Sequence, residues 1–377
     1  MSETPGSRIT MGKQTANATD WVNEAKRMSA RVLEPAAAQV DQTASIPGTH
    51  FSELAEHGFY GVALGSDNPV QALSAVGEIL VSGCLSTAFV WAQHHGTLLR
   101  LATSRNRALK ERYLPGLQMG SVRAGVSGGG YAAPQRPLIQ ARRTSDGYSI
   151  EGSAPFVTGW GLVDVLGVSA YDETNDETVT FLAPASEDHG LSSMRLDLTA
   201  ANASQTVALS FDGYRVDETD VMHVARRVRS RQEAMSMLDR AIVRINGSLA
   251  LGLARRTLTA LDTSGQCSQA MANKFTAVRN SLDRAVSDTS VDIHDARAQA
   301  SRFAVDASIY YTAITGSRAV QRGELAERTA REANFSLVCA TTAEIRAHVL
   351  AGVVDRKRTQ VRSASAEQAG SSYEARG

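Results

Sequence analysis

The sequence of 377 residues predicts an α+β protein in three parts: an N-terminal helical domain, a small central antiparallel β domain and a C-terminal four-helix bundle. Apolar residues recur at helical spacing in the first and last parts of the chain and change to short β-type runs in the middle. The chain is also too long for one simple core, since domains usually hold ~100–150 residues. Together these observations predict helices, then strands, then long helices.

The N-terminal domain is predicted to cover residues 18–115. Apolar residues have helical spacing in the segments FSELAEHGFYGVAL and VQALSAVGEILVSGCLSTAFVWAQHHGTLLRLA. A last short helix is predicted to end at Pro115 and Gly116, because both residue types interrupt helices. The polar residues 1–17 that precede this domain predict a disordered leader.

The β domain is predicted to cover residues 116–228. Five runs of β type follow one another in this part of the chain, namely LIQARRT, GYSIEGSAPFVT, VDVLGVSAYD, ETVTFLAPA and QTVALSFDGYRV. Turn residues such as Ser145, Asp146 and Gly147 separate them. Several short strands at ~10-residue spacing predict a small antiparallel barrel or sandwich.

The C-terminal bundle is predicted to cover residues 229–356. Four long helical patterns fill it, at 233–262, 270–287, 294–315 and 324–354. Helices of ~20–30 residues are ~30–45 Å long, which suits a four-helix bundle. The polar residues 357–377 predict a disordered tail.

Composition argues against several classes of protein. Lys and Arg together number 39, as do Asp and Glu, so we expect no nucleic-acid partner and no attraction to anionic membranes. No apolar run approaches ~18 residues and the N-terminus lacks a signal-peptide core, which predicts a cytoplasmic protein without a membrane span. The three cysteines are far apart and no histidine pair has zinc-ligand spacing, so neither a disulfide framework nor a metal site is expected.

Five segments, in the right order, resemble the acyl-CoA dehydrogenase superfamily over about residues 20–355: AFVWAQHHGTLLRLA, DGYSIEGSAPFVTGWGLVDVLGVSA, VALSFDGYRVDETDVM, NGSLALGLARRTLTALD and REANFSLVCATTAEIR. The resemblance implies the fold of that superfamily, with FAD held between the β domain and the bundle. It also implies an acyl thioester of CoA or of a carrier protein as substrate, and a homodimer or homotetramer. In such enzymes a carboxylate takes the α-proton while flavin N5 accepts the β-hydride.

The resemblance implies cofactor-binding roles for six residues: Val126, Ser127, Phe156, Thr158, Thr342 and Glu344. Ser127 stands where the family has a threonine beside the flavin pyrimidine. Phe156 replaces the aromatic residue that shields the isoalloxazine ring, and Thr158 matches the threonine near flavin N5. Thr342 matches a threonine near the pyrophosphate, and Glu344 follows two positions later.

The sequence departs from the family where chemistry is expected. Ala340 occupies the position of the usual catalytic glutamate, and a methyl group accepts no proton. Some members carry the base on the first bundle helix, where this chain has Ile242 and Val243. A shift of three residues places Asp239 there, so Asp239 is the candidate base. The loop VSGGGYAAPQRP lacks the family's glutamate and is interpreted as a flexible loop over the flavin or substrate. The sequence also has no clear match for the family residues that contact FAD from a partner subunit.

Three functions are open at this stage. The first is an FAD-dependent dehydrogenase of an acyl thioester, with its base at Asp239 or in a partner subunit. The second is a flavin-dependent monooxygenase or oxidase that uses His94 or His95 near the flavin. The third is a redox-silent member, either one half of a heteromer with another family member or a fold reused for another acyl reaction. Arg240 and Arg244, one helical turn apart, are candidates for binding a substrate carboxylate or phosphate.

Overall fold

The computed structural model describes residues 18–127, 138–226 and 235–354. The predicted leader, the predicted tail, the glycine-rich loop at 128–137 and most of the basic run at 226–231 lie outside these ranges.

The N-terminal part is helical, as predicted. Its α-helices are α1 (Ala18–Met28), α2 (Glu34–Thr43), α3 (Gly48–Glu56), α4 (Val62–Gly65), α5 (Pro69–Gly83), α6 (Leu85–Thr103) and α7 (Arg107–Met119). The side chain of Asn68 accepts a hydrogen bond from the Gln71 N–H and so caps α5, with Pro69 in the first helical position. Helices α5 and α6 are buried along most of their length and form the centre of this domain.

Helix α7 does not end at Pro115 but continues to Met119, so the prediction of its end was wrong. Pro115 removes one N–H from the helix, yet the buried side chain of Leu117 holds the last turn against the core. The helix ends at Gly120, which has a left-handed φ of 76°. A Cβ at this position would lie 2.2 Å from the ring of Tyr60, so glycine is required there and ends the helix.

The middle of the chain forms one sheet of the strands β1 (Ala124–Ser127), β2 (Ile139–Arg143), β3 (Gly147–Val157), β4 (Val165–Asp172), β5 (Glu177–Pro184), β6 (Leu191–Arg195), β7 (Val207–Asp217) and β8 (Val221–Arg226). The strand order is β6-β7-β3-β1-β4-β5-β8, and β2 pairs with β3 and β4. Strands β1 and β2 therefore both lie between β3 and β4, with β1 beside the end of β3 and β2 beside its first half. Ser127 of β1 pairs with Val157 at the end of β3, whereas Arg143 of β2 pairs with Tyr148 near its start.

The five predicted strands are confirmed as β2, β3, β4, β5 and β7. The sequence does not predict β1, β6 and β8, and β1 is too short to show an alternating pattern. The predicted small β domain is confirmed and most of its strand pairs are antiparallel, but β1 and β2 each run parallel to β4, so the sheet is mixed.

The C-terminal part contains α8 (Met237–Thr263), α9 (Gln269–Arg284), α10 (Ile293–Thr315), α11 (Leu325–Phe335) and a last helix, α12, at 343–354. The predicted fourth helix at 324–354 is thus two helices, separated by a turn at 336–342. Ala340 lies in this turn with a left-handed φ of 48°, which no continuous helix accommodates. The Thr342 hydroxyl accepts a hydrogen bond from the Ile345 N–H, 3.3 Å away, and so begins α12.

Helices α5 and α8 join the N-terminal part to the bundle. A Cβ at Gly252 of α8 would lie 2.5 Å from Cβ of Val81 and 2.7 Å from the carbonyl oxygen of Glu78, so the two helices approach closely at this glycine. Within the described ranges, every helix is too short or too polar to cross a bilayer.

Candidate functional site

The pairing of β1 with β3 brings three of the predicted cofactor residues together. Ser127 lies directly opposite Val157, so Phe156 and Thr158 flank its partner on the neighbouring strand. Phe156 is 66% exposed although it is a large aromatic residue, and Thr158 is buried. Ser127 is also buried, and in the part of the chain that the structure describes its hydroxyl makes no hydrogen bond. An exposed aromatic ring and a buried, unpaired hydroxyl therefore lie at the same end of this strand pair.

A chain of hydroxyl groups fixes the side chain of Thr158. Its Oγ1 lies 3.1 Å from Oγ1 of Thr206, which lies 2.9 Å from Oγ of Ser204. The backbone turns immediately afterwards at Gly159, which has a φ of 94° and donates its N–H to the Ser204 carbonyl at 2.9 Å. Side chain and backbone at the end of β3 are thus held in one arrangement.

Helix α6 holds β1 in place through two hydrogen bonds. Nδ1 of His94 accepts a bond from the Ala124 N–H at 3.1 Å, and Oγ1 of Thr97 donates to the Gly125 carbonyl at 2.7 Å. These bonds explain why so short a strand has a defined position at the site.

A cavity of about 60 Å³ lies between α6 and α8, with β1 as its third wall. Helix α6, strand β1 and helix α8 contribute its lining, namely Ala92, Gln93, Gly96, Leu99, Arg100, Val126, Ile242, Ile245 and Asn246. Val126 precedes Ser127, so the cavity adjoins the group formed by Ser127, Phe156 and Thr158. Ile242, which stands where some family members carry a base, is a wall of this cavity and accepts no proton.

The sequence did not single out Gln93, Arg100 and Asn246, the polar residues of the cavity. A signal for two of them exists, because Gln93, Gly96 and Arg100 are spaced i, i+3 and i+7 and so share one face of α6. Polar residues on one face of an otherwise apolar helix indicate a site rather than a core. Asn246 lies on a different helix, and its approach to them depends on the packing of α6 with α8.

Asp239, the candidate base, lies in the first turn of α8 and does not line the cavity. Its N–H donates to Oγ of Ser236 at 3.1 Å, and Ser236 donates back to its Oδ2 at 2.7 Å. Its Oδ1 lies 4.0 Å from Nη2 of Arg100. Asp239 is therefore part of the cap of α8 and lies close to Arg100, which lines the cavity.

Arg240 is engaged within the protein, and its predicted role in binding substrate stays a prediction. Its guanidinium donates to the backbone carbonyls of Ala285, Val286, Asp288 and Val291, in the turn that follows α9. These bonds occupy the donors of Arg240 and fix that turn.

Arg244 is buried and its charge is compensated within the protein, and its predicted role in binding substrate stays a prediction. Its Nη2 lies 2.7 Å from Glu78 and its Nε lies 2.5 Å from Asp283. Glu78 is fully buried and also binds Arg279 at 2.9 Å and Arg255 at 3.4 Å. This cluster joins α5, α8 and α9 and has a structural role.

His94 and His95 are both buried in α6 and lie outside the lining of the cavity, and their predicted role near flavin or substrate stays a prediction. Burial lowers the pKa of His94 to about 3 and lowers the pKa of His95 well below its usual value. The ring of His95 packs 4.5 Å from that of Trp91. Both imidazoles are therefore neutral packing groups near neutral pH, and His94 serves to position β1.

The turn at 336–342 carries Ala340, which is exposed and lies outside the cavity lining. Thr342 caps α12, and Glu344 lies in the first turn of that helix near His294, whose pKa is lowered mainly by burial. The roles of Thr342 and Glu344 toward a cofactor stay predictions. Among the described side chains, no group of three or more His, Cys, Asp or Glu is arranged to hold a metal ion.

Comparison with known proteins gives one family and several solved structures. Residues 15–121 match the family described as acyl-CoA dehydrogenase, N-terminal domain. The structure of butyryl-CoA dehydrogenase from Megasphaera elsdenii superposes with a TM-score of 0.74 at 20% identity, covering 89% of this chain and 97% of the other. A search of curated proteins finds no match.

Two further structures carry a flavin in their names. A glutaryl-CoA dehydrogenase from Mycobacterium smegmatis in complex with FADH2 superposes with a TM-score of 0.71 at 17% identity, covering 89% of this chain and 94% of the other. The FAD complex of PigA superposes with a TM-score of 0.72 at 17% identity, covering 90% and 97%. At these identities the likeness concerns the fold, which matches along nearly the whole chain.

Proposed function

We propose that this protein is an FAD-dependent oxidoreductase acting on an acyl thioester. The proposal is supported by the match of its N-terminal residues to the acyl-CoA dehydrogenase family and by the likeness of the whole fold to that superfamily. The observation that supports it best is the pairing of Ser127 with Val157, which brings Ser127, Phe156 and Thr158 together beside the cavity. The electron acceptor is not part of the proposal.

The residues at this place fit the ring system of a flavin. A buried hydroxyl without a partner costs about 1–3 kcal/mol, and a polar edge of the isoalloxazine would offer Ser127 the missing hydrogen bond. The exposed ring of Phe156 would stack on one face of the isoalloxazine. The hydroxyl of Thr158 would approach the polar edge from the other strand.

When bound, the flavin would supply the hydride acceptor. The residues of this chain bind and orient the reactants. Phe156 would shield the ring from water. The cavity between α6 and α8, with Val126 in its lining, would receive the acyl group.

Proton removal at Cα needs an acceptor that neither Ala340 nor Ile242 provides. Asp239 is the base we propose, because its Oδ1 lies 4.0 Å from Arg100 and Arg100 lines the cavity.

The test is the binding of FAD to the purified protein and to two variants. Phe156→Ala removes the stacking surface and should weaken FAD binding about 10-fold or more. Met194→Ala is the matched control, because Met194 is a similarly exposed apolar residue on β6, away from β1. Equal FAD affinity of the two variants would remove Phe156 from the proposed site.

We also propose a homodimer or homotetramer. Apolar side chains are exposed at the C-terminal end of α10 and just beyond it, namely Ile309, Tyr310, Ile314 and Val320. Neighbouring exposed apolar residues of this kind favour association. A monomer in sedimentation velocity would contradict this part of the proposal.

A further inference from the structure

Three buried hydroxyl groups form a chain that ends at the proposed flavin site. Oγ of Ser204 lies 2.9 Å from Oγ1 of Thr206, which lies 3.1 Å from Oγ1 of Thr158. All three residues are buried, and Thr158 lies at the end of β3, beside the strand that carries Ser127. The two hydroxyls further along the chain are hidden from water and depend on partners within the protein.

The backbone before β7 holds this chain in place. Ala201 and Gln205 are not glycines, yet both adopt left-handed conformations, with φ of 57° and 50°. The Gln205 side chain donates from Nε2 to the Ala44 carbonyl at 2.9 Å, which ties the turn to the end of α2. Left-handed conformations of this kind persist where the surroundings fix them. The turn at Gln205 thus brings the hydroxyls of Ser204 and Thr206 together.

The order of the protons in the chain follows from the available partners. A hydroxyl group donates one hydrogen bond and accepts up to two. In the part of the chain that the structure describes, Thr206 is the only partner of the Ser204 hydroxyl, so Ser204 satisfies its proton by donating it to Thr206. Thr206 then donates to Thr158, and the Thr158 proton is left for the site. The reverse order would leave the Ser204 proton buried without an acceptor, which is unfavourable.

We propose that Ser204 and Thr206 are positioning residues of the flavin site, which fix the Thr158 hydroxyl as a hydrogen-bond donor toward the flavin edge. The inference rests on the function proposed above and adds a control of the redox properties of that site. Oxidised and reduced flavin differ in the charge and protonation of the ring. A donor with a fixed direction binds the two forms unequally, and their relative affinity sets the reduction potential.

The experiment measures the Kd of FAD and its two-electron reduction potential on the full chain, the latter by equilibration with a reference dye. Thr206→Val removes the middle hydroxyl and nearly keeps the shape. We expect FAD to bind about 3- to 10-fold more weakly, and the potential to shift by about 20 mV, which corresponds to a fivefold change in the relative affinity for the two forms. Thr206→Ser keeps the hydroxyl and should keep both values.

Ser204→Ala tests the direction assigned to the protons. It keeps the bond between Thr158 and Thr206 but removes the donor that orders it, so the potential should shift in the same sense as in Thr206→Val and by less. A Ser204→Ala protein with the wild-type potential overturns the assigned direction, whether or not Thr206→Val folds.

Thr87→Val is the matched control, because it also removes a buried hydroxyl that lies between two partners. Oγ1 of Thr87 lies 2.9 Å from Nδ1 of His50 and 3.5 Å from Sγ of Cys84, outside the cavity lining. This variant should lose stability in urea unfolding and keep the wild-type Kd and potential. Unchanged values in Thr206→Val, or an equal change in Thr87→Val, overturn the inference. A wild-type protein that binds no FAD contradicts the proposed function instead.

Discussion

Replacing Glu78 should destabilise the protein more than any surface substitution, because this fully buried carboxylate compensates three arginines. It lies 2.7 Å from Arg244, 2.9 Å from Arg279 and 3.4 Å from Arg255. In Glu78→Gln the shape is kept and the negative charge is lost. Arg244, which is 1% exposed, then retains Asp283 as its acidic partner.

The expected loss of unfolding free energy is about 3–5 kcal/mol, as is usual when one member of a buried ion pair is removed. The matched control is Glu53→Gln, which breaks an exposed pair with Arg31 at 3.0 Å and should cost about 0–1 kcal/mol. Urea unfolding followed by tryptophan fluorescence measures both. A loss below about 1 kcal/mol for Glu78→Gln would refute the view that this cluster joins the N-terminal part to the bundle.

Three further predictions concern pH, packing and catalysis. Burial lowers the pKa of His94 to about 3 in the folded protein, against about 6.5 in the unfolded chain, so the unfolded chain binds more protons between these values. The free energy of unfolding should therefore fall as pH drops from 6.5 toward 3, by up to about 1.4 kcal/mol per pH unit. Urea unfolding at pH 7 and pH 5 should show this fall, and the fall should be smaller in His94→Asn. Gly252→Ala should lower the melting temperature in calorimetry by several degrees, because its Cβ would lie 2.5 Å from Val81; an unchanged value would argue against the close helix contact. Ala340→Glu places a carboxylate at the family's usual base position, which here lies outside the cavity lining, so thioester oxidation in a dye-coupled assay should stay unchanged; a gain would contradict the proposal of Asp239 as the base.

The sequence predicts elements well where a periodic pattern is long. Helices α8, α9 and α10 lie close to their predicted bounds, and the longest strands are the predicted ones. The break between α11 and α12 was missed because its apolar spacing continues through the turn. Nothing in that spacing shows that Ala340 adopts a positive φ.

The candidate site was predicted in part. Ser127, Phe156 and Thr158 come together through a strand pair that joins distant segments. The partners of the arginines of α8 could not be predicted because they lie far away in the chain: Arg244 binds Glu78, and Arg240 binds carbonyls that follow α9. Arg100 was overlooked because its significance depends on the cavity that α6 forms with α8.

The most direct test of the proposed function is the visible absorption spectrum of the purified full-length protein, before and after addition of FAD. We expect flavin bands near ~450 nm that stay with the protein through gel filtration, and that weaken in Phe156→Ala but not in Met194→Ala. A colourless protein that retains no added FAD would contradict the account.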